Sequence, residues 1–103
     1  MSWEGFVIEN LIAAAPMHTQ YFFYRTAAGA EIDLLLELPS GELWAVEIKR
    51  SLAPVVEKGF HYARADLKPA RCFIVYAGHD RYPLAEGIEV ISLYAMTQLL
   101  AAF

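Results

Sequence analysis

Cysteine is nearly absent. With Cys72 alone in 103 residues no intramolecular disulfide can form, and no Cys/His pairing has zinc spacing. His18, His61 and His79 show no mutual spacing that suggests a metal site; His18 and His79 read as loop residues and Cys72 as a buried strand residue. Basic residues are also scarce, eight Lys and Arg against twelve Asp and Glu, for a formal charge of -4. Most nucleic-acid affinity comes from neutralising phosphates, so this balance argues against strong unaided binding of a duplex. Divalent cations at an acidic active site would offset it. The six glycines form no G-x-x-x-x-G-K-[ST] loop, which excludes ATP chemistry of that kind. No apolar run approaches the roughly 20 residues of a membrane span, and no signal-peptide pattern opens the chain. A cytoplasmic location with no membrane partner is the expectation. Internal repeats, low-complexity tracts and linkers are absent from the sequence.

What the chain does have is apolar material: 57% of residues are hydrophobic and 19% charged. The length suffices for one domain, residues 1–103, with a single modest core. Surplus apolar surface fits either a well-filled α/β core or a face covered by a homodimer partner or a neighbouring domain. The first helix begins almost at residue 1, as expected of a module normally preceded by other sequence, or of a stand-alone fragment.

Hydrophobic patterning predicts the order α-β-β-β-α-β-β-α. "SWEGFVIENLIAAAP" reads as a helix with Ser2 as N-cap, Glu4 in the first turn and Pro16 at its end. "QYFFYRT" is a strand rich in aromatics, "AAG" a turn, and "AEIDLLLEL" a second strand closed by the hairpin signal "PSG". "ELWAVEIKRS" is the third strand. Val55, Val56, Phe60 and Ala63 recur at helical spacing and predict a helix from Ala53 to Asp66. "ARCFIVYAG" is an apolar strand of the kind covered on both faces. "GIEVISL" is a last short strand, and "YAMTQLLAAF" a terminal helix.

Two strands carry charge where a buried strand would not. Side chains alternate faces with period two, so Ala45, Glu47 and Lys49 share one face and Val46 and Ile48 the other. In the preceding strand Glu31, Asp33 and Leu35 share a face, opposite Ile32, Leu34 and Leu36. The short "PSGE" loop makes the strands antiparallel neighbours and brings Asp33 within a few residues of Glu47. Two carboxylates so close repel unless a cation lies between them, and a hard divalent ion with oxygen ligands, Mg²⁺ or Mn²⁺, is the natural counter-ion. A lysine beside it can position a water or stabilise a phosphoryl transition state. Spacing alone fits equally an amphipathic hairpin with Glu47 and Lys49 facing solvent.

An acid on one strand, a hairpin, then Glu-x-Lys on the next resembles the D…(D/E)-x-K signature of the PD-(D/E)XK, or restriction-endonuclease-like, superfamily. The chain is also similar to the uncharacterised C-terminal domain attached to many prokaryotic AAA+ ATPases. "SWEGFVIENLI", "YRTAAGAEIDLLLE", "VEIKRS", "PARCFIVYAG" and "GIEVISL" carry that similarity over nearly the whole length. The resemblance implies a restriction-endonuclease-like core, a central mixed β-sheet flanked by helices. It implies Asp33 and Glu47 as metal ligands, with the carbonyl of Ile48 as a further one, and Lys49 orienting the attacking water. It also implies a fourth acid from the first helix. At about 100° per residue Glu4 falls in the apolar sector with Val7, Ile8 and Leu11, and Glu9 in a less enclosed one. A carboxylate on a buried face needs a partner, which selects Glu4 and leaves Glu9 secondary. Arg25 matches an arginine of the hairpin pattern and can contact a phosphate or pair with Glu31 or Asp33. His61 and Tyr62, on the helix after the Glu-x-Lys strand, are supporting candidates.

Two functions follow as expectations. One is a Mg²⁺- or Mn²⁺-dependent nuclease with Glu4, Asp33, Glu47 and Lys49 as catalytic residues and nucleic acid as substrate. The other is a non-catalytic accessory, docking or dimerisation module of an AAA+ ATPase.

Overall fold

The computed structural model describes residues 2–103, which hold three helices and six strands. In chain order these are α1 (Trp3–Ala14), β1 (Gln20–Arg25), β2 (Glu31–Glu37), β3 (Leu43–Ile48), α2 (Lys58–Leu67), β4 (Arg71–Tyr76), β5 (Tyr82–Ala85), β6 (Ile88–Ser92) and α3 (Leu93–Ala101). They form one mixed sheet of order β1-β2-β3-β4-β6-β5. β1, β2 and β3 are antiparallel, β3, β4 and β6 parallel, and β5 returns antiparallel to β6. The parallel centre is buried on both faces, in keeping with the largely apolar sequences of β3 and β4.

Each face has its own core. On one side Val7 and Leu11 of α1 and Met96 and Leu100 of α3 cover Leu34, Leu36, Trp44, Val46, Phe73, Val75 and Ile91. On the other, Phe60 and Ala63 of α2 cover Ile32, Leu35, Ala45, Ile74, Ile88 and Val90. β1 stands at the sheet edge with most of its residues exposed on both faces.

Three expectations need correction. The helix expected from Ala53 begins only at Lys58, because Pro54 biases Ala53 away from helical geometry and is itself buried. Residues 54–57 belong to no helix or strand, and Glu57 sits at the N-cap with extended dihedrals. The order contains one more strand than expected, β5, giving α-β-β-β-α-β-β-β-α. Its Pro83 disguised it, since proline is tolerated in a sheet only at an edge such as this one.

The third correction concerns β2. The register with β1 runs Phe22↔Leu35 and then Tyr24↔Ile32, so two residues of β2, Asp33 and Leu34, oppose Phe23 alone. That is a β-bulge, and it breaks the alternation. Ile32 joins the α2 core with Leu35, while Leu34 and Leu36 join the other core. The expected grouping of Ile32 with Leu34 and Leu36 therefore fails at Asp33.

Candidate functional site

The β2–β3 ladder is paired from Glu37↔Leu43 to Leu34↔Val46. One more step along that register sets Asp33 across from Glu47, and there the ladder ends. A continued ladder would give the Ile48 N–H a backbone carbonyl of β2. Instead Asp33 Oδ2 accepts it at 2.8 Å. The bulge thus turns the Asp33 side chain inward, and its carboxylate closes the splayed ends of the two strands.

Glu47 is 6% exposed and is the buried charged residue among the described residues. Burial above all, then the hydrogen bond and charge of Asp33, push its pKa up to about 9; the Lys49 ammonium offsets only part of this. In the absence of a cation Glu47 therefore keeps its proton at neutral pH. Lys49 follows directly after β3. Its N–H donates to the Val75 carbonyl at 2.9 Å, which holds it in line with the parallel strands. Its Nζ donates to Glu57 Oε1 at 3.0 Å. Burial works to lower its pKa, but the Glu57 hydrogen bond and the charges of Glu47, Glu57 and Asp33 outweigh it and leave the ammonium above its usual value.

Glu4 reaches the same place from α1. Ser2 Oγ accepts the Gly5 N–H at 3.0 Å and starts the helix there. Trp3 Nε1 then donates to the Lys49 carbonyl at 3.0 Å and pins the first turn to the end of β3. Glu4 is exposed, not enclosed as its helical sector implied. Partial desolvation, then the charge and hydrogen bond of Asp33, raise its pKa, against Arg25.

Glu4, Asp33, Glu47 and Lys49 line one open cleft of about 800 Å³, together with Ile48, Arg25, Glu31, Glu57, Lys58 and Phe60. Arg25 is held by Glu31, with Nε donating at 2.8 Å and Nη2 at 2.7 Å from Oε1, so it pairs with Glu31 of the two acids considered. The wall formed by α2 depends on Gly59: a Cβ there would lie 2.6 Å from the Gly29 carbonyl oxygen, so only glycine lets the helix start so close to the β1–β2 turn. Glu9 is exposed and lies outside the cleft. His61 and Tyr62 are exposed on α2 and do not line it either. Reading residues 53–66 as one helix hid Glu57 and Lys58. The available signal was Pro54 with an acid three residues on, at the start of the real helix.

Among the described residues no three His, Cys, Asp or Glu side chains are grouped to hold a metal ion. The donor set is thus two carboxylates, Asp33 and Glu47, with Ile48 also in the cleft wall. These are hard oxygen donors suited to Mg²⁺ or Mn²⁺. The residues present fit such an ion.

A family model described as Domain of unknown function (DUF4143) matches residues 1–96. An uncharacterized protein of Mycobacterium bovis and one of Mycobacterium tuberculosis are each 38% identical over 106 residues, covering 97% of this chain and 24% of theirs. The chain thus spans about a quarter of the length of the curated relatives it matches. No solved structure matches it. No helix among the described residues is long and apolar enough to cross a membrane.

Proposed function

We propose that this chain, which belongs to the DUF4143 family, is a divalent-metal-dependent phosphodiesterase of restriction-endonuclease-like fold acting on nucleic acid. The observation that carries this reading is the end of the β2–β3 ladder. A bulge and a lost backbone pairing bring Asp33 beside a buried Glu47, with Lys49 in the same cleft. Burying a carboxylate costs stability, and a purely structural strand would place an apolar residue there.

Asp33, Glu47 and the Ile48 carbonyl would hold the ion. When bound, Mg²⁺ or Mn²⁺ supplies Lewis-acid polarisation of the phosphate and favours ionisation of water. Lys49 carries three N–H donors. It orients the attacking water and donates to the charge that develops on the phosphoryl oxygens. Glu4, exposed at the mouth and with a raised pKa, takes up the proton the water loses. Trp3 keeps Glu4 and Lys49 in fixed relation through its bond to the Lys49 carbonyl.

Purified chain incubated with DNA or RNA and Mg²⁺ or Mn²⁺ should cleave it, and Asp33→Asn or Lys49→Ala should abolish cleavage in folded protein. Undiminished cleavage by both variants would sink the mechanism. One observation favours the second reading, an accessory module of an AAA+ ATPase: the Lys49 ammonium is engaged by Glu57 at 3.0 Å. Calorimetry separates the two, because the module reading expects no heat from Mg²⁺ or Mn²⁺.

A further inference from the structure

The two edges of the sheet are built differently. One is β5, four residues long, with Pro83 in it and a register irregularity against β6. A short strand and a proline, which lacks an N–H, are common ways of closing an edge to further pairing. The other edge is β1, "QYFFYR", six residues without proline or lysine. The extra residue of the bulge lies on β2, so β1 itself keeps its alternation. Thr26 donates its N–H to the Ala30 carbonyl at 2.9 Å, which turns residue 26 toward β2. Counting back by two, Tyr24 and Phe22 also face β2, and the N–H and C=O groups of Arg25, Phe23 and Tyr21 point out of the sheet. No turn or loop backbone hydrogen bond among the described residues reaches these outward groups. Tyr21, Phe22 and Phe23 are 50%, 43% and 67% exposed, so aromatic rings flank the open edge on both faces.

An edge of this kind accepts another strand, and what β1 offers decides which. Two copies related by a two-fold axis normal to the sheet pair antiparallel, with one residue facing its own copy. With the axis at Phe23, Phe23 faces Phe23, Tyr21 faces Arg25, and Phe22 faces Tyr24 of the second copy. Each outward-pointing residue then meets another, and every free N–H and C=O from Tyr21 to Arg25 finds a partner. With the axis at Phe22 the groups of Arg25 would be left over. The side chains agree with the first register: aromatic pairs at and beside the axis, and a guanidinium against a Tyr ring at each end. Arg25 is the only charged residue of β1, and inversion sets its two copies at opposite ends, so like charges do not meet. A net charge of -4 opposes contact between two copies in general, and β1 is a stretch of surface without an acid. Size sets the strength: a Phe or Tyr buries roughly 150–250 Å², so three half-exposed rings on each copy cover about 600 Å² together, besides the strand backbones. Interfaces below about 1,200 Å² associate weakly and reversibly. We propose that β1 is a dimerisation edge, through which two copies of this chain pair antiparallel about an axis at Phe23 into one continuous sheet. The pairing sets Tyr21 of the second copy against Arg25, which lines the acidic cleft, so each copy adds to the rim of the other's cleft. It is independent of what the cleft does, because association is measured without metal or nucleic acid.

The experiment is sedimentation of the chain from about 1 to 500 µM, the range suited to so small an interface. The mass should rise from one chain to two and stop there. Phe23→Lys and Phe23→Glu each set like charges face to face at the axis and should weaken dimerisation at least about tenfold. An equimolar mixture of the two should restore it. Circular dichroism checks that the variants fold. A second pair of variants reads the register. Phe23→Cys brings two thiols opposite each other at a Cα separation of about 5.5 Å, within reach of a disulfide, and should link under mild oxidation. Phe22→Cys faces Tyr24, out of reach of its own copy, and should not. The native Cys72 is buried and does not compete. A single-chain mass throughout, or a dimer that Phe23→Lys leaves intact, overturns the proposal. So does a Phe23→Cys chain that fails to link, or a Phe22→Cys chain that links more readily. Association that continues past two chains overturns it as well, since the edge would then be a site of open-ended aggregation.

Discussion

At the scale of single residues, Glu47 is where the chain departs most from what a stable strand would choose. Its pKa in the fold, about 9, lies above the ordinary glutamate value, so between those limits the folded protein holds a proton that the unfolded chain has released. The unfolded state then binds fewer protons, and stability must fall as pH rises. The contribution is complete below the ordinary carboxylate range and is lost progressively up to pH 9, at no more than about 1.4 kcal/mol per pH unit. Urea denaturation of metal-free protein between pH 5 and 9 should show this decline, and Glu47→Gln should flatten it by supplying a neutral side chain of the same shape. A wild-type stability that rises with pH over this window would mean Glu47 is ionised in the fold. Glu57 has a smaller part. Its pair with Lys49 is half in solvent, so Glu57→Gln should cost less than about 1 kcal/mol in stability. It should nevertheless lower the Lys49 pKa, because Glu57 supplies both a hydrogen bond and a charge that raise it. Titration of the Lys49 side chain by NMR in the two proteins tests this directly.

At the scale of elements, the site exists because three segments meet at one strand end, and each is held by a contact that can be removed singly. Trp3→Phe keeps the ring but deletes the donor to the Lys49 carbonyl. Loss of about 1 kcal/mol in stability is expected, with faster amide exchange through the first turn of α1 than in the wild type. Gly59→Ala forces a Cβ to within 2.6 Å of a backbone oxygen that cannot rotate away. A cost of about 1–3 kcal/mol should follow, measured by the same denaturation, because α2 must back away from the β1–β2 turn. These contacts also show what could be read from sequence and what could not. The β2–β3 hairpin, and with it the nearness of Asp33 to Glu47, followed from the turn signal and period-two parity, which are local properties. The bulge was not legible. It goes with the bond from the Ile48 N–H to the Asp33 side chain in place of a backbone carbonyl, a pairing made across the sheet and not within one segment of sequence. The late start of α2 had a local cause in Pro54, outweighed by helical spacing of Val55 and Val56 with Phe60 and Ala63. Glu4 lines the cleft, but it is exposed where its helical sector implied enclosure.

At the scale of the whole molecule, the sheet has two closed cores at its parallel centre and an open acidic end where β2 and β3 part. A cation that binds there binds the folded chain alone, because Asp33 and Glu47 are brought together only by the ladder. Such binding adds RT ln(1 + [M]/Kd) to stability. Thermal unfolding should therefore shift upward with Mn²⁺ or Mg²⁺ concentration in the wild type, and the shift should vanish in Asp33→Asn and Glu47→Gln. The two variants are chosen because each keeps an oxygen acceptor in place and spares the hydrogen bonding of the strand end. The pH dependence adds a second, independent signature. Below pH 9 the ion must displace the Glu47 proton, so about one proton should leave for each ion bound, and apparent affinity should rise up to about tenfold per pH unit. Calorimetry in buffers of different ionisation enthalpy counts that proton. An ion that releases no proton at pH 7 and whose thermal shift survives Glu47→Gln sits on the exposed acids of the cleft mouth and not at Glu47, and the metal centre at Asp33 and Glu47 would then have to be abandoned.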